Sequence, residues 1–143
     1  MPTACNILET LSRWWGYKEF RPGQREVIER VMEGKDTLAL MPTGAGKSLI
    51  YQVPTMAREG LCVVVTPLVA LMKDQVDNLH RRGINAVAIH GGMSPRSIDI
   101  ALDNCVYGDV KFLYVAPERL RSEIFVARVQ KMNVSLIAVD EAH

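Results

Sequence analysis

An α/β sheet of mainly parallel strands, flanked by helices, is predicted by three features of this 143-residue sequence. Apolar runs such as Cys62-Val63-Val64-Val65 and Leu136-Ile137-Ala138-Val139 alternate with longer amphipathic stretches. The runs are continuous rather than polar–apolar, the pattern of strands buried on both faces. A glycine-rich segment sits at one strand-to-helix junction, and open α/β sheets bind ligands at the carboxyl ends of their strands.

The elements follow in order. Helices are predicted over 7–15 and 22–33, the second with Pro22 in its first turn and Gly34 just past its end. A strand over 37–41 then feeds a helix over 47–58, and a strand over 61–65 feeds a helix over 68–82. Leu68, Leu71, Met72 and Val76 form the core-facing stripe of that last helix. Strands over 86–90 and 112–116, helices over 95–106 and 122–131, and a strand over 135–140 complete a five-strand, doubly wound sheet. The chain stops at His143 with no helix after the last strand, so an N-terminal piece of a longer protein is expected.

Composition narrows the function classes. Hydrophobic residues are 48% and charged residues 23%, enough apolar surface to offset the ordering entropy, which excludes wholesale disorder. Seventeen Lys and Arg against sixteen Asp and Glu give +1, so any contact with nucleic acid must come from a local patch. No apolar stretch approaches the ~20 residues that span a bilayer, and no secretory leader pattern is present. Cys5, Cys62 and Cys105 fit neither a disulfide framework nor a zinc pattern, and a reducing cytosol is expected.

Three segments carry chemistry. Met41-Pro42-Thr43-Gly44-Ala45-Gly46-Lys47-Ser48 has the context of a phosphate loop: glycines aim backbone N–H groups at an anion, and the following helix adds its positive dipole end. Lys47 supplies charge for the β- and γ-phosphates and Ser48 a hydroxyl for Mg²⁺. The full G-x-x-x-x-G-K-[ST] pattern fails at its first position, where Met41 stands. At the other end of the chain, Asp140 can hold Mg²⁺ and Glu141 can orient or deprotonate an attacking water. Near the amino terminus, the Gln24 amide both donates and accepts, as an adenine edge requires, and Tyr17 and Arg21 can stack on the base. Without a ligand these segments read as a glycine-rich turn, a solvated strand end and a helix start with Phe20 in the core.

Together the motifs resemble the first motor lobe of the RecQ family of superfamily 2 DNA helicases. Phe20-Arg21-Pro22-Gly23-Gln24 is similar to that family's adenine-recognition motif, and Met41 to Ser48, running into Leu49-Ile50-Tyr51-Gln52-Val53-Pro54, to its motif I. Thr66-Pro67-Leu68-Val69-Ala70-Leu71-Met72-Lys73-Asp74-Gln75-Val76 is similar to motif Ia, Tyr114-Val115-Ala116-Pro117-Glu118-Arg119-Leu120 to motif Ib, and Asp140-Glu141-Ala142-His143 to the DEAH box. The resemblance implies a RecA-like lobe using ATP and Mg²⁺ within a 3′→5′ DNA-unwinding enzyme of repair and recombination, cytosolic in bacteria or nuclear in eukaryotes. By the same match Tyr17, Arg21 and Gln24 hold adenine, residues from Met41 to Ser48 hold the phosphates, Ser48 and Asp140 hold Mg²⁺, and Lys47 and Glu141 are catalytic. Residues 1–34 then form N-terminal helices with the adenine motif, and 35–143 part of the lobe.

Ala45, Thr66 and Val69 depart from the family's usual Gly, Ser and Ile. The aromatic-rich loop, the second RecA-like lobe with its arginine finger, and the zinc-binding and winged-helix modules are not in this sequence, so inefficient hydrolysis is expected of the piece alone. DNA, single-stranded or forked, is expected to be gripped through its backbone. Thr66 and Pro67 would cap a helix whose exposed N–H groups take a backbone phosphate, and Lys73 and Arg119 would offer charge. The alternatives are another superfamily 2 motor such as an RNA helicase, a small-molecule P-loop kinase, and a module that binds ATP without turnover.

Overall fold

The computed structural model describes residues 4–37 and 47–140, with side chains from residue 7 onward at the amino end. The chain forms two compact units, Met1–Glu59 and Gly60–His143. The strand expected over 37–41 lies, beyond Thr37, outside the described residues.

The first unit contains three helices: α1 (Ala4–Trp15), α2 (Gln24–Met32) and α3 (Leu49–Met56). In α1, Ile7, Leu11 and Trp15 recur at helical spacing and are buried, one apolar stripe. Helix α2 starts two residues later than expected. Pro22 and Gly23 instead form the corner of a β-turn, with Gly23 at φ 88° and the Gln24 N–H donating to the Arg21 carbonyl at 3.1 Å. These are type II features, with Pro presetting φ at the second position and Gly accepting positive φ at the third. At its far end α2 closes in a Schellman motif: Lys35 N–H donates to Arg30 O (3.2 Å) and Gly34 N–H to Val31 O (3.0 Å), with Gly34 at φ 80°. Helix α3 packs against α1 and α2. It is shorter than expected and contains Pro54, which has no N–H to give; the Thr55 hydroxyl donates to the Tyr51 carbonyl at 2.8 Å one turn back.

The second unit is a four-stranded parallel sheet in the order β2-β3-β1-β4, made of β1 (Leu61–Val65), β2 (Ala86–Ile89), β3 (Phe112–Val115) and β4 (Val134–Val139). Helices α4 (Val69–Arg81), α5 (Pro95–Tyr107) and α6 (Glu123–Val129) make the crossovers. The crossover from β1 runs one way along the sheet and the two later ones run back. Right-handed connections therefore place α4 on one face and α5 and α6 on the other. One core cluster joins Val63, Val65, Leu113 and Val115 to Leu102, Cys105 and Phe125 of α5 and α6. The alternate strand residues, including Val64, Phe112 and Tyr114, face the opposite way and are equally buried.

Two expectations change here. In α4 the buried stripe is Met72, Val76 and Leu79, while Leu68 is 49% exposed because it stands outside the helix as its N-cap. Strand β4 is not buried on both faces: Ile137 and Val139 are 63% and 60% exposed, since β4 is an edge of the sheet among the described residues. Its pairing with β1 carries a bulge at Ser135, whose hydroxyl donates to the Leu61 carbonyl at 3.2 Å.

Candidate functional site

The carboxyl edge of the sheet is organised by one repeated hydrogen bond. The first residue past each of three strands hangs from the last carbonyl of its neighbour: Ala116 N–H on Ile89 O (3.3 Å), Thr66 N–H on Val115 O (3.1 Å) and Asp140 N–H on Val65 O (2.9 Å). Parallel ladders continued by one residue thus set Ala116, Thr66 and Asp140 in a row. Asp140, half-buried, is the first residue after β4, where the sequence expectation puts it. Glu141, its expected partner in the chemistry, lies outside the described residues.

In the first unit, Lys47 and Ser48 open α3. The Lys47 carbonyl accepts from Ile50 N–H (3.2 Å) and the Ser48 carbonyl from Gln52 N–H (3.0 Å). Ser48 is the N-cap residue but already has helical φ and ψ, and its hydroxyl makes no capping hydrogen bond. Ser94 and Ser122 cap α5 and α6 in the ordinary way, accepting from Ser97 N–H at 3.1 Å and Phe125 N–H at 3.4 Å. The remainder of the phosphate loop, Met41, Pro42, Thr43, Gly44, Ala45 and Gly46, lies outside the described residues.

The expected adenine residues divide by burial. Tyr17 is 48% exposed and Arg21 is exposed, whereas Gln24 is buried to 1%. The Gln24 Oε1 accepts the Arg21 N–H at 2.8 Å across the Pro22-Gly23 corner. Phe20 is half-buried.

The nucleic-acid candidates divide too. The sequence predicts Thr66 as the cap of α4; instead Leu68 stands at that position. Thr66 is buried, its N–H is taken by Val115, and its hydroxyl accepts from Leu68 N–H at 3.4 Å. Pro67 and Lys73 are exposed. Arg119 lies half-buried in a 3₁₀ turn, Pro117–Arg121, which the sequence reading missed; the proline after β3 and the capping serine before α6 are the signals that frame it. His80 and His90 have local partners, Nε2 lying 2.8 Å from the Ala86 carbonyl and Nδ1 accepting Gly92 N–H at 3.2 Å. Among the described residues no three His, Cys, Asp or Glu side chains converge as a metal cluster, and no helix is long and apolar enough to cross a membrane.

Comparison with known proteins places the chain. The DEAD/DEAH box helicase family model matches residues 21–143. The chain is 45% identical over 134 residues to the ATP-dependent DNA helicase RecQ of Bacillus subtilis, covering 93% of this chain and 23% of that protein. It is 40% identical over 142 residues to the Haemophilus influenzae protein of the same name, covering 99% and 22%. The ATP-dependent helicase wrn-1 of Caenorhabditis elegans is 38% identical over 138 residues, covering 95% and 13%. The chain thus spans about a quarter or less of the length of these relatives. In fold it matches the solved DUF1998 helicase MrfA bound to DNA and AMPPNP, with a TM-score of 0.73 at 22% identity over 97% of this chain and 21% of that one. A parallel sheet with its acidic residue at the end of β4, matched by the helicase model across nearly its whole length, makes this chain a member of the DEAD/DEAH box helicase family, with RecQ helicases among its homologues.

Proposed function

We propose that the chain is the ATP-binding motor lobe of an ATP-dependent 3′→5′ DNA helicase of repair and recombination. One observation carries the phosphate end of that reading: α3 opens on Lys47-Ser48 with the serine hydroxyl left out of the helix cap. A hydroxyl that caps a helix is held on a backbone N–H; this one makes no such bond, and it fits a ligand role toward Mg²⁺. In the same reading the Asp140 carboxylate is the second protein ligand, and the hydrogen bond to Val65 fixes its backbone at the sheet edge.

Mg²⁺, when bound, supplies charge neutralisation on the β- and γ-phosphates. The chain's own groups do the rest. Lys47 and the N–H groups at the start of α3 hold the phosphates. Tyr17 and Arg21 stack on adenine, the Gln24 amide pairs with the adenine edge, and Glu141 orients water for in-line attack and accepts its proton. Pro67, Lys73 and Arg119 face the DNA backbone, while Thr66, being buried, acts by shaping the loop that carries Pro67. A second RecA-like lobe supplies the arginine finger, a contribution of about 10³–10⁵ in rate. Work on DNA places the protein in the bacterial cytosol or the eukaryotic nucleus.

The test is ATP turnover by the full-length protein with single-stranded DNA against RNA as stimulator, together with Lys47→Ala. Loss of a charged partner to the phosphates, worth about 1.5–3 kcal/mol, predicts roughly ten- to hundredfold weaker ATP binding. Unchanged affinity in that variant removes Lys47 from the site. Stimulation by RNA rather than DNA would favour another superfamily 2 motor.

A further inference from the structure

The 3₁₀ turn that carries Arg119 is strung between two anchors. On the sheet side, the Ala116 N–H donates to the Ile89 carbonyl of β2 (3.3 Å), and the Arg119 N–H donates to the Ala116 carbonyl (3.0 Å). On the other side, the Arg119 carbonyl accepts the Ser122 N–H (3.1 Å), and the Ser122 carbonyl accepts the Val126 N–H (3.0 Å) at the start of α6. The placement of Arg119 therefore depends on the placement of α6. That helix has seven residues, too few to be stable alone in water, and Phe125 is its one buried side chain. Its other hold is Arg128. The guanidinium reaches across to α5 and donates to the carboxylates of both Asp99 and Asp103. These two acids stand one helical turn apart, so a single planar fork spans them. The Arg128 side chain is 23% exposed, so the clamp is set into the surface.

We propose that Asp99, Arg128 and Asp103 form a clamp that positions Arg119 for the DNA backbone, Arg128 acting through α6 and Ser122 on the turn. This rests on the proposed DNA-binding reading and deepens it. An arginine on a loose turn must be ordered when it meets a phosphate, and that ordering subtracts from affinity. A turn already held at both ends avoids the loss. The competing role for Arg128 is direct, as a cation that touches DNA itself. The two roles make opposite predictions for the aspartates. If Arg128 touches DNA, Asp99 and Asp103 compete with phosphate for it, and removing them raises affinity. If the three form a clamp, removing the aspartates frees α6 and lowers affinity, even though two negative charges have left the surface.

The experiment uses the full-length protein with an oligothymidine strand as probe, reading DNA affinity and DNA-stimulated ATP turnover at low salt. Arg128→Ala should weaken DNA binding about two- to fivefold, the range a partly exposed ion-pair clamp can contribute. The DNA concentration for half-maximal turnover should rise by the same factor, while the rate at saturating DNA stays within about twofold, by the same measure. The Asp99→Ala/Asp103→Ala double variant should weaken binding to a similar extent. In an Arg119→Ala background, Arg128→Ala should add almost nothing, the non-additivity expected when one residue acts through another. Hydrogen exchange should quicken at the Ser122 and Val126 amides in Arg128→Ala, with the Asp140 amide unchanged, which separates a local loosening from a general loss of stability. Tighter DNA binding by the aspartate double variant, or additive effects of Arg119→Ala and Arg128→Ala, would overturn the clamp while leaving the DNA reading standing. A wild type that binds no DNA would overturn that reading and this role with it.

Discussion

Gly60 is the residue on which the position of β1 against β4 depends, and replacing it with alanine tests that. Gly60 has φ 97°, and a Cβ built there would lie 2.8 Å from the Asn133 carbonyl oxygen and 2.9 Å from the Ser135 Cβ. Both neighbours belong to the entry of β4, and neither is the tip of a flexible side chain. A left-handed alanine costs about 1–2 kcal/mol in backbone strain. The collision pushes Asn133 away from the Leu61 N–H that it accepts at 2.9 Å, a further ~1 kcal/mol for the weakened bond. Against this, alanine restricts the unfolded chain and returns roughly 0.5–1 kcal/mol. The net expectation is about 2 kcal/mol of destabilisation, or about 4–8 °C in Tm for a domain near this size.

Two comparisons isolate the parts. Gly34 has φ 80° but nothing within 4 Å of a built Cβ, so Gly34→Ala carries strain without collision. Gly91 has open space and no positive φ, so Gly91→Ala should fall within about 0.5 kcal/mol of wild type. Urea unfolding followed by circular dichroism, with hydrogen exchange at Leu61, reads the series. The Asp140 N–H bond to Val65 reports the far end of the same strand pair, so its exchange should also speed up in Gly60→Ala. A Gly60→Ala protein no less stable than Gly34→Ala, with the Leu61 amide still protected, would refute the claim that backbone closeness at this point sets the β1–β4 register.

Other expectations concern the second unit. Burial pushes the Cys105 thiol up to about 12 from an ordinary 9.0. The raised folded value means that Cys105 contributes its full stability below pH 9.0 and loses it as pH rises toward about 12, because the unfolded thiol ionises first. The stability difference between wild type and Cys105→Ala should therefore shrink as pH climbs through that window; a flat difference would contradict the burial. Arg128 of α6 pairs with both Asp99 and Asp103 of α5 on a partly exposed surface. Arg128→Ala should cost about 0.5–1 kcal/mol at low salt and less at high salt, and a salt-independent loss would point to packing instead.

Much of the molecule was legible before any coordinates. Strands and helices announced themselves through continuous apolar runs and 3.6-residue stripes, because burial on two faces and burial on one face leave different periodicities. Gly34 after the end of α2 follows from local backbone chemistry and was equally readable, whereas the serine caps Ser94 and Ser122 were not singled out. Asp140 past the last strand, and Lys47-Ser48 at a helix start, depend only on the order of elements along the chain. The tertiary structure alone decided three things. It placed Leu68 outside α4 and buried Thr66, since whether a Thr-Pro-Leu string caps or precedes a helix depends on which neighbouring strand takes the threonine N–H. It left Ile137 and Val139 exposed, since a strand's burial depends on its place in the sheet and not on its own residues. It turned Gln24 inward onto Arg21, because a glutamine's hydrogen-bonding capacity is written in its side chain, but its partner is chosen by the turn that folds around it.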